Sequence, residues 1–203
     1  MVSEIPLVGS ALVAERLRLI TVELPVGDAA KRAELARWNW KARRARESLF
    51  DAFSDHGRQL TGEWCSFPES ARLTREVEEL GESRERVIQR WPTKGKFDEV
   101  SRSCDSFELN GERLLVLIMD APEAAWIEVS PGIVQSEIIP SAVEWMTDGF
   151  ILYMPDCASL LSVDVEEVDN VSLIETTLVG EGLGSLGVHF LGHGPEPRRV
   201  GAS

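Results

Sequence analysis

Apolar side chains in the first half of the chain recur with the period of an α-helix. Between residues 28 and 57, the apolar positions fall on one stripe at 3.6 residues per turn: Leu35, Trp38, Ala42, Ala45, Leu49 and Phe53. Asp28 can cap the N-terminus of such a helix, and Gly57 can end it. The pattern therefore predicts a helix of about seven turns.

A second helical pattern covers residues 67–92. Its inner face is marked by Leu73, Val77, Leu80, Val87 and Trp91. Gly81 can bend this helix, and Pro92 ends it because proline cannot continue the hydrogen-bond ladder. Upstream, residues 10–25 fit either a short helix or a strand ended by Pro25, and the pattern does not separate the two.

After residue 100 the apolar period shortens to about two residues, which is typical of β-strands. An Asn-Gly pair at 110–111 separates two strand-like runs and indicates a hairpin. Further strands are predicted in AAWIEVSPG, GFILYM, SLLSVDVEEV and VSLIETTLVG, and PSAVEWM (140–146) predicts one or two helical turns. The order of elements predicts an α+β fold, with N-terminal helices packed on a C-terminal, mostly antiparallel β-sheet.

The length of the chain, 203 residues, suits one compact domain. We expect a helical part with a possible first strand over residues 1–100, an acidic antiparallel β part over 101–190, and a flexible tail over 191–203. The three cysteines lie far apart, which argues against a disulfide framework and against a zinc site. No apolar run approaches the length of a membrane span, so we expect a cytoplasmic protein without a membrane partner.

Charge is divided unequally between the two halves of the chain. The net charge is -13, yet residues 1–100 carry 17 Lys+Arg against 17 Asp+Glu, whereas residues 101–203 carry 4 against 17. No Lys or Arg occurs from Leu114 to Pro197. This asymmetry predicts a directional electrostatic field.

Motifs for cofactors, metals and catalysis are incomplete. GLGSLG (182–187) lacks the following helix and acidic residue of a dinucleotide site, and His189 and His193 lack further metal ligands. We therefore expect no cofactor and no metal, and we assign no catalytic residue. Cys157 in a tight turn, or one of the many carboxylate pairs, would be required for the alternative of a small cytoplasmic hydrolase.

The acidic half places its carboxylates in alternation with apolar residues. In SLLSVDVEEV, Leu161 and Val163 alternate with Ser162 and Asp164, and AAWIEVS alternates in the same manner. One sheet face should then be core and the other anionic, with a Trp as an anchor for a partner. The candidate partner-binding residues are Trp126, Glu128, Asp148, Asp156, Asp164, Glu166, Glu167 and Asp169.

This arrangement favours a non-catalytic binding protein whose acidic sheet face neutralises a basic protein partner. An immunity protein or antitoxin that occludes the cationic cleft of a bacterial nuclease-like toxin is the most concrete form. The alternative is a nucleic-acid or membrane adaptor acting through helix 28–57, whose residues 31–46 hold seven Lys and Arg interleaved with Trp38 and Trp40. The net charge argues against nucleic acid, and we expect this helix to dock on the acidic sheet of its own chain.

Overall fold

The computed structural model describes residues 28–84, 86–91, 113–168, 171–180 and 198–200. Some of the predictions concern residues outside these ranges. They are the element at 10–25, the turn at 110–111, the glycine-rich segment 182–187, the histidines 189 and 193, and the capping role of the Asp28 side chain.

The first predicted helix is confirmed as α1, Asp28–Asp55. It ends where the sequence places its stop, because Gly57 adopts a φ of 67°, which favours glycine. The N–H of Arg58 donates to Phe53 O at 2.8 Å, and the N–H of Gly57 donates to Ser54 O at 2.9 Å. These two bonds form a Schellman motif, which satisfies carbonyls left open at the end of the helix.

The second predicted helix is confirmed only over its first part, as α2, Phe67–Ser83. Its inner residues Leu73, Val77 and Leu80 are buried as predicted. The prediction that Val87 and Trp91 continue this helix is wrong, because residues Arg86–Trp91 form strand β2. All six residues of β2 pair with the strand Val171–Val179. Pairing with a strand that is distant in the sequence therefore overrides the local helical pattern.

A single antiparallel sheet of eight strands organises the described residues. The strands are β1 (Glu63–Trp64), β2 (Arg86–Trp91), β3 (Leu114–Ile118), β4 (Ile127–Val129), β5 (Gly149–Met154), β6 (Ser159–Val168), β7 (Val171–Val179) and β8 (Arg198–Val200). Their order across the sheet is β1-β4-β3-β5-β6-β7-β2-β8. The α+β class is therefore confirmed, as are the strands predicted in GFILYM, SLLSVDVEEV and VSLIETTLVG.

Helical segments cover both faces of the sheet. On the first face, Val116 and Leu152 belong to a buried cluster that also holds Phe53 from α1. On the second face, Leu115 and Tyr153 pack against the inner side of α2. Period-2 alternation explains this division, since neighbouring side chains of a strand point to opposite faces.

The helical region before β5 is longer than predicted. It runs through Pro131–Ile133, a π-helical turn at Val134–Ile138 and Ile139–Glu144, and its buried residues join the core of the first face. Three residues of the predicted tail, Arg198–Val200, form the edge strand β8 on β2. Because β1 and β2 belong to the first half of the sequence, both halves contribute strands to one sheet.

Candidate functional site

The predicted acidic residues do not gather into one field. Glu128 and Asp164 share the second face of the sheet, as the alternation predicts, but three strand spacings and four residues separate them, which is roughly 20 Å. The inner side of α2 occupies the face between them. Asp156 lies in the turn at the opposite end of β6 from Glu166.

Trp126 does not reach a partner. Its side chain is fully buried, and its Nε1 donates to Thr74 Oγ1 at 3.1 Å. The prediction that Trp126 anchors an external protein is therefore wrong. The alternation placed its side chain on the correct face, but the pattern of one strand does not reveal that a helix covers this face.

A smaller acidic group remains at one end of the sheet. Asp148, Asp164 and Glu166 are all partly exposed there. Asp164 Oδ2 accepts a hydrogen bond from Ser162 Oγ at 2.8 Å. The Glu167 side chain and Asp169 lie outside the described residues. Among the eight residues predicted to bind a partner, Asp148, Asp164 and Glu166 are the ones that the structure brings close together as an acidic group.

Three arginines from outside the stretch 114–197 pair with carboxylates inside it. Arg58 pairs with Glu144. Arg90 Nε lies 2.5 Å from Glu175 Oε2, and Arg113 Nε lies 2.5 Å from Glu128 Oε2. The stretch without Lys or Arg is thus partly neutralised by cations 15 to 86 residues away in sequence. These three paired carboxylates therefore contribute less to the directional field that the charge asymmetry predicts.

In the N-terminal half of α1, the side of the helix that carries most of the cationic side chains faces away from the core. Trp40 precedes the buried Ala42 by two residues, which is about 200° around a helix, and 54% of its surface is exposed. Five cationic side chains on the outward side are exposed with it. We call this surface the basic stripe, and it consists of Arg32, Arg37, Trp40, Lys41, Arg43 and Arg44.

The expected docking of this helix on the acidic sheet residues is not observed. In its basic half, Trp38 turns inward and packs on Phe67 at the start of α2, with ring centroids 5.0 Å apart. Arg46 alone of the basic residues in this half is drawn inward, and its Nε donates to Ala124 O at 2.8 Å. The Arg46 guanidinium also lies 4.7 Å from the ring centroid of Trp64, and burial lowers its pKa. Arg46 therefore holds α1 against residues 64 and 124, while the basic stripe stays exposed.

A cavity of about 230 Å³ opens beside the basic stripe, between α1, α2 and the 122–126 segment. We call it the α1–α2 cavity. Trp38, Phe67 and Trp126 form aromatic parts of its lining. Two buried polar atoms of its lining residues, Ser70 Oγ and Glu34 Oε2, have no hydrogen-bond partner among the described residues. Charged side chains also line it, and they are Glu34, Arg37, Lys41 and Glu123.

Cys65 is unsuited to nucleophilic catalysis. Burial, followed by the nearby Glu69 carboxylate, raises the pKa of its thiol to about 11, so the reactive thiolate is suppressed at neutral pH. Arg113 joins Glu69 to Glu128 beside it, and its hydrogen bonds hold the pKa of Glu69 below the usual range. Within the described ranges, no group of three or more His, Cys, Asp and Glu side chains could hold a metal ion.

Sequence reasoning missed Ser70 and the inward role of Arg46. Ser70 follows no motif, because a serine in a helix is ordinarily solvated. The signal for the basic stripe was present, since the helical period sets Trp40 and Arg44 opposite the apolar positions. Nothing in the local pattern distinguishes Arg46 from its neighbours, because its partners at 64 and 124 are distant in sequence.

Comparison of the chain with protein-family models, with curated proteins and with solved structures found no match. Its function must therefore be argued from its own residues. Every helix in the described part of the chain is too short or too polar to cross a bilayer.

Proposed function

We propose that this protein is a non-catalytic binding protein that holds single-stranded nucleic acid on the basic stripe of α1. The observation that carries the proposal is the exposure of Trp40 amid five cationic side chains. An exposed aromatic ring stacks with unpaired bases of any sequence, and flanking Arg and Lys bind phosphates. The stripe spans residues 32–44, about 18 Å along the helix axis.

The net charge of -13 is a weaker objection than the sequence alone suggests. Charges are screened over about 8 Å at physiological ionic strength. Leu117 of β3 lines the cavity beside the basic stripe. Asp164 lies two strands away from Leu117 and two residues further along β6, which is a distance of roughly 12 Å. Local charge then dominates over net charge, and the stripe is locally cationic.

An anionic membrane fits the same surface less well. A helix that lies in the membrane interface needs one continuous apolar face. The exposed large apolar residues of α1 are Leu35, Trp40 and Phe50, which are spread over 16 positions and interrupted by cationic side chains. These side chains provide no continuous apolar face. We therefore favour nucleic acid and keep membrane binding as an outcome of the test.

The test is the affinity of the full chain for a fluorescent 12-nucleotide single strand, measured by anisotropy at increasing salt. Four phosphate contacts predict a slope of about -3 in log K against log salt, which is roughly 60-fold weaker binding between 50 and 200 mM. Binding to anionic vesicles without binding to the oligonucleotide would contradict the proposal.

Two substitutions and a matched control locate the surface. Arg43→Glu is expected to weaken binding about tenfold, and Trp40→Ala by a similar factor through lost stacking. Arg75→Glu alters net charge by the same amount as Arg43→Glu, but on the exposed side of α2, so it should change affinity less than about twofold. Equal losses from the two charge reversals would show a general charge effect and refute the assigned surface.

A second candidate is the acidic binding protein expected from the sequence, most concretely an immunity protein or antitoxin with a basic partner. The partial exposure of Asp148, Asp164 and Glu166 at one end of the sheet favours it. A basic protein retained from native cytosol at low salt, and released by the double variant Asp164→Lys/Glu166→Lys, would favour this candidate over the first. The hydrolase alternative and the cytoplasmic location stay predictions.

A further inference from the structure

We infer that one base of the bound strand stacks on a single face of the Trp40 ring, and that Arg44 positions this ring and does not bind phosphate. This inference rests on the proposed function, since it assigns separate roles to members of the basic stripe. Arg44 Cζ lies over the Trp40 ring, 5.3 Å from its centroid. The Trp40 side chain is nevertheless 54% exposed, so the guanidinium leaves much of the ring accessible.

Helix geometry decides which face of the ring Arg44 covers. Residues four apart are neighbours on a helix, and side chains lean toward the helix N-terminus. Arg44 therefore reaches back over Trp40 and covers the face of the ring that looks toward the C-terminus of α1. A guanidinium on an indole face is held by cation–π attraction, which limits the directions that the ring can take.

The opposite face of the Trp40 ring is open. The residue four positions before Trp40 is Ala36, which is exposed and carries only a methyl group. Arg37, three positions before Trp40, lines the α1–α2 cavity on the flank of the helix. A base therefore has access to the face that looks toward the N-terminus of α1, and it would form a stack of base, indole and guanidinium with Arg44 on the far side.

The other four cationic side chains of the basic stripe then contact phosphates. They are Arg32, Arg37, Lys41 and Arg43. Each phosphate contact of a single strand adds about 0.7 to the salt slope, whereas a side chain that orients an aromatic ring adds almost nothing. Loss of Arg44 should therefore weaken binding without changing the slope, which a phosphate ligand would not do.

The experiment measures the affinity of the full chain for the fluorescent 12-nucleotide strand at increasing salt, with substitutions at two adjacent arginines. Arg44→Gln should weaken binding about three- to fivefold through the lost cation–π contact and leave the slope unchanged. In the Trp40→Ala background the same substitution should have no effect, because the ring that Arg44 positions is absent. Arg43→Gln is the matched control, and it should reduce the slope by about 0.7 in both backgrounds.

Ala36 provides an independent variant. Ala36→Leu places a branched side chain against the open face of the ring and should weaken binding about tenfold, as Trp40→Ala does. Leu is a good helix former, so this variant should fold. Ser54→Leu is the control, because Ser54 is exposed on the same side of α1 about five turns away, and the affinity should stay within about twofold of wild type.

Two results would overturn this inference alone. A fall of about 0.7 in the slope for Arg44→Gln, or an equal loss of affinity with and without Trp40, would make Arg44 a phosphate ligand. Wild-type affinity of Ala36→Leu would refute the assigned face of the ring. Absence of any binding would overturn the proposed function and this inference with it.

Discussion

Asp120 joins the loop after β3 to the loop before β5, and its removal should destabilise the sheet. One carboxylate oxygen accepts from Thr147 N at 2.8 Å and from Thr147 Oγ1 at 2.6 Å. The other accepts from the N–H groups of Asp148 and Gly149, both at 3.2 Å. The two backbone donors at 148 and 149 are partly buried, so water replaces the lost acceptor only in part.

Asp120→Ala removes all four hydrogen bonds. A typical intramolecular hydrogen bond contributes about 1 kcal/mol net, so the expected loss in the free energy of unfolding is about 2–4 kcal/mol. That is a large share of the roughly 5–15 kcal/mol that holds a domain folded. Asp120→Asn retains one acceptor oxygen, and we expect about half of the loss.

The assay is urea unfolding followed by tryptophan fluorescence, with the midpoint compared at constant slope. Asp156→Ala is the matched control, because Asp156 is exposed in the turn at the other end of β5 and should stay within about 0.5 kcal/mol of wild type. A loss below about 0.5 kcal/mol for Asp120→Ala, or equal losses for the Ala and Asn variants, would refute the role assigned to these bonds.

Three further substitutions test the backbone at two glycines and one ion pair. Gly149 has a φ of 89°, and a Cβ there would lie 1.9 Å from Val163 O, so Gly149→Ala should cost more than about 2 kcal/mol in urea unfolding. Gly81→Ala, with nothing within 4 Å of the added Cβ in α2, should instead stabilise by about 0.5–1 kcal/mol; a loss at Gly81 would contradict this. Arg113 lowers the pKa of Glu69 in the folded state. The stability that this ion pair contributes is therefore fully present above the pKa of Glu in the unfolded chain, about 4.3, and it is lost as the pH falls through the lowered pKa of Glu69 in the folded chain. Glu69→Gln should reduce the loss of unfolding free energy at acid pH by less than about 1 kcal/mol, since the side chains of Arg113 and Glu69 are about a third exposed. An unchanged dependence of stability on pH would show that this ion pair does not contribute to it.

Two strands of the second half were the most predictable part of the fold. Residues 149–154 and 159–168 form strands over the full lengths that their patterns predict. The helix ending at Gly57 was equally predictable, because a glycine that accepts positive φ is a local signal. The segment after Gly81 was not, since Val87 and Trp91 fit a helical face as well as one side of a strand.

The charged surface was predictable in composition and not in position. Glu128 and Asp164 were correctly assigned to one face, but the sequence did not show that α2 covers the space between them. The ion pairs that neutralise the acidic part join residues such as Arg90 and Glu175, which are 85 positions apart. Pairing at such distances depends on which strands become neighbours.

The sequence by itself determined the α+β class, the alternation of faces in the central strands and the basic character of α1. These properties depend on residues within a few positions of one another, where backbone geometry fixes which side chains share a face. Only the tertiary structure decided that Trp126 is buried, that Arg46 faces inward while Trp40 faces outward, and that Ser70 borders a cavity with Glu34. Each of these outcomes depends on which distant element packs against the residue, and burial by a distant element leaves no local pattern in the chain.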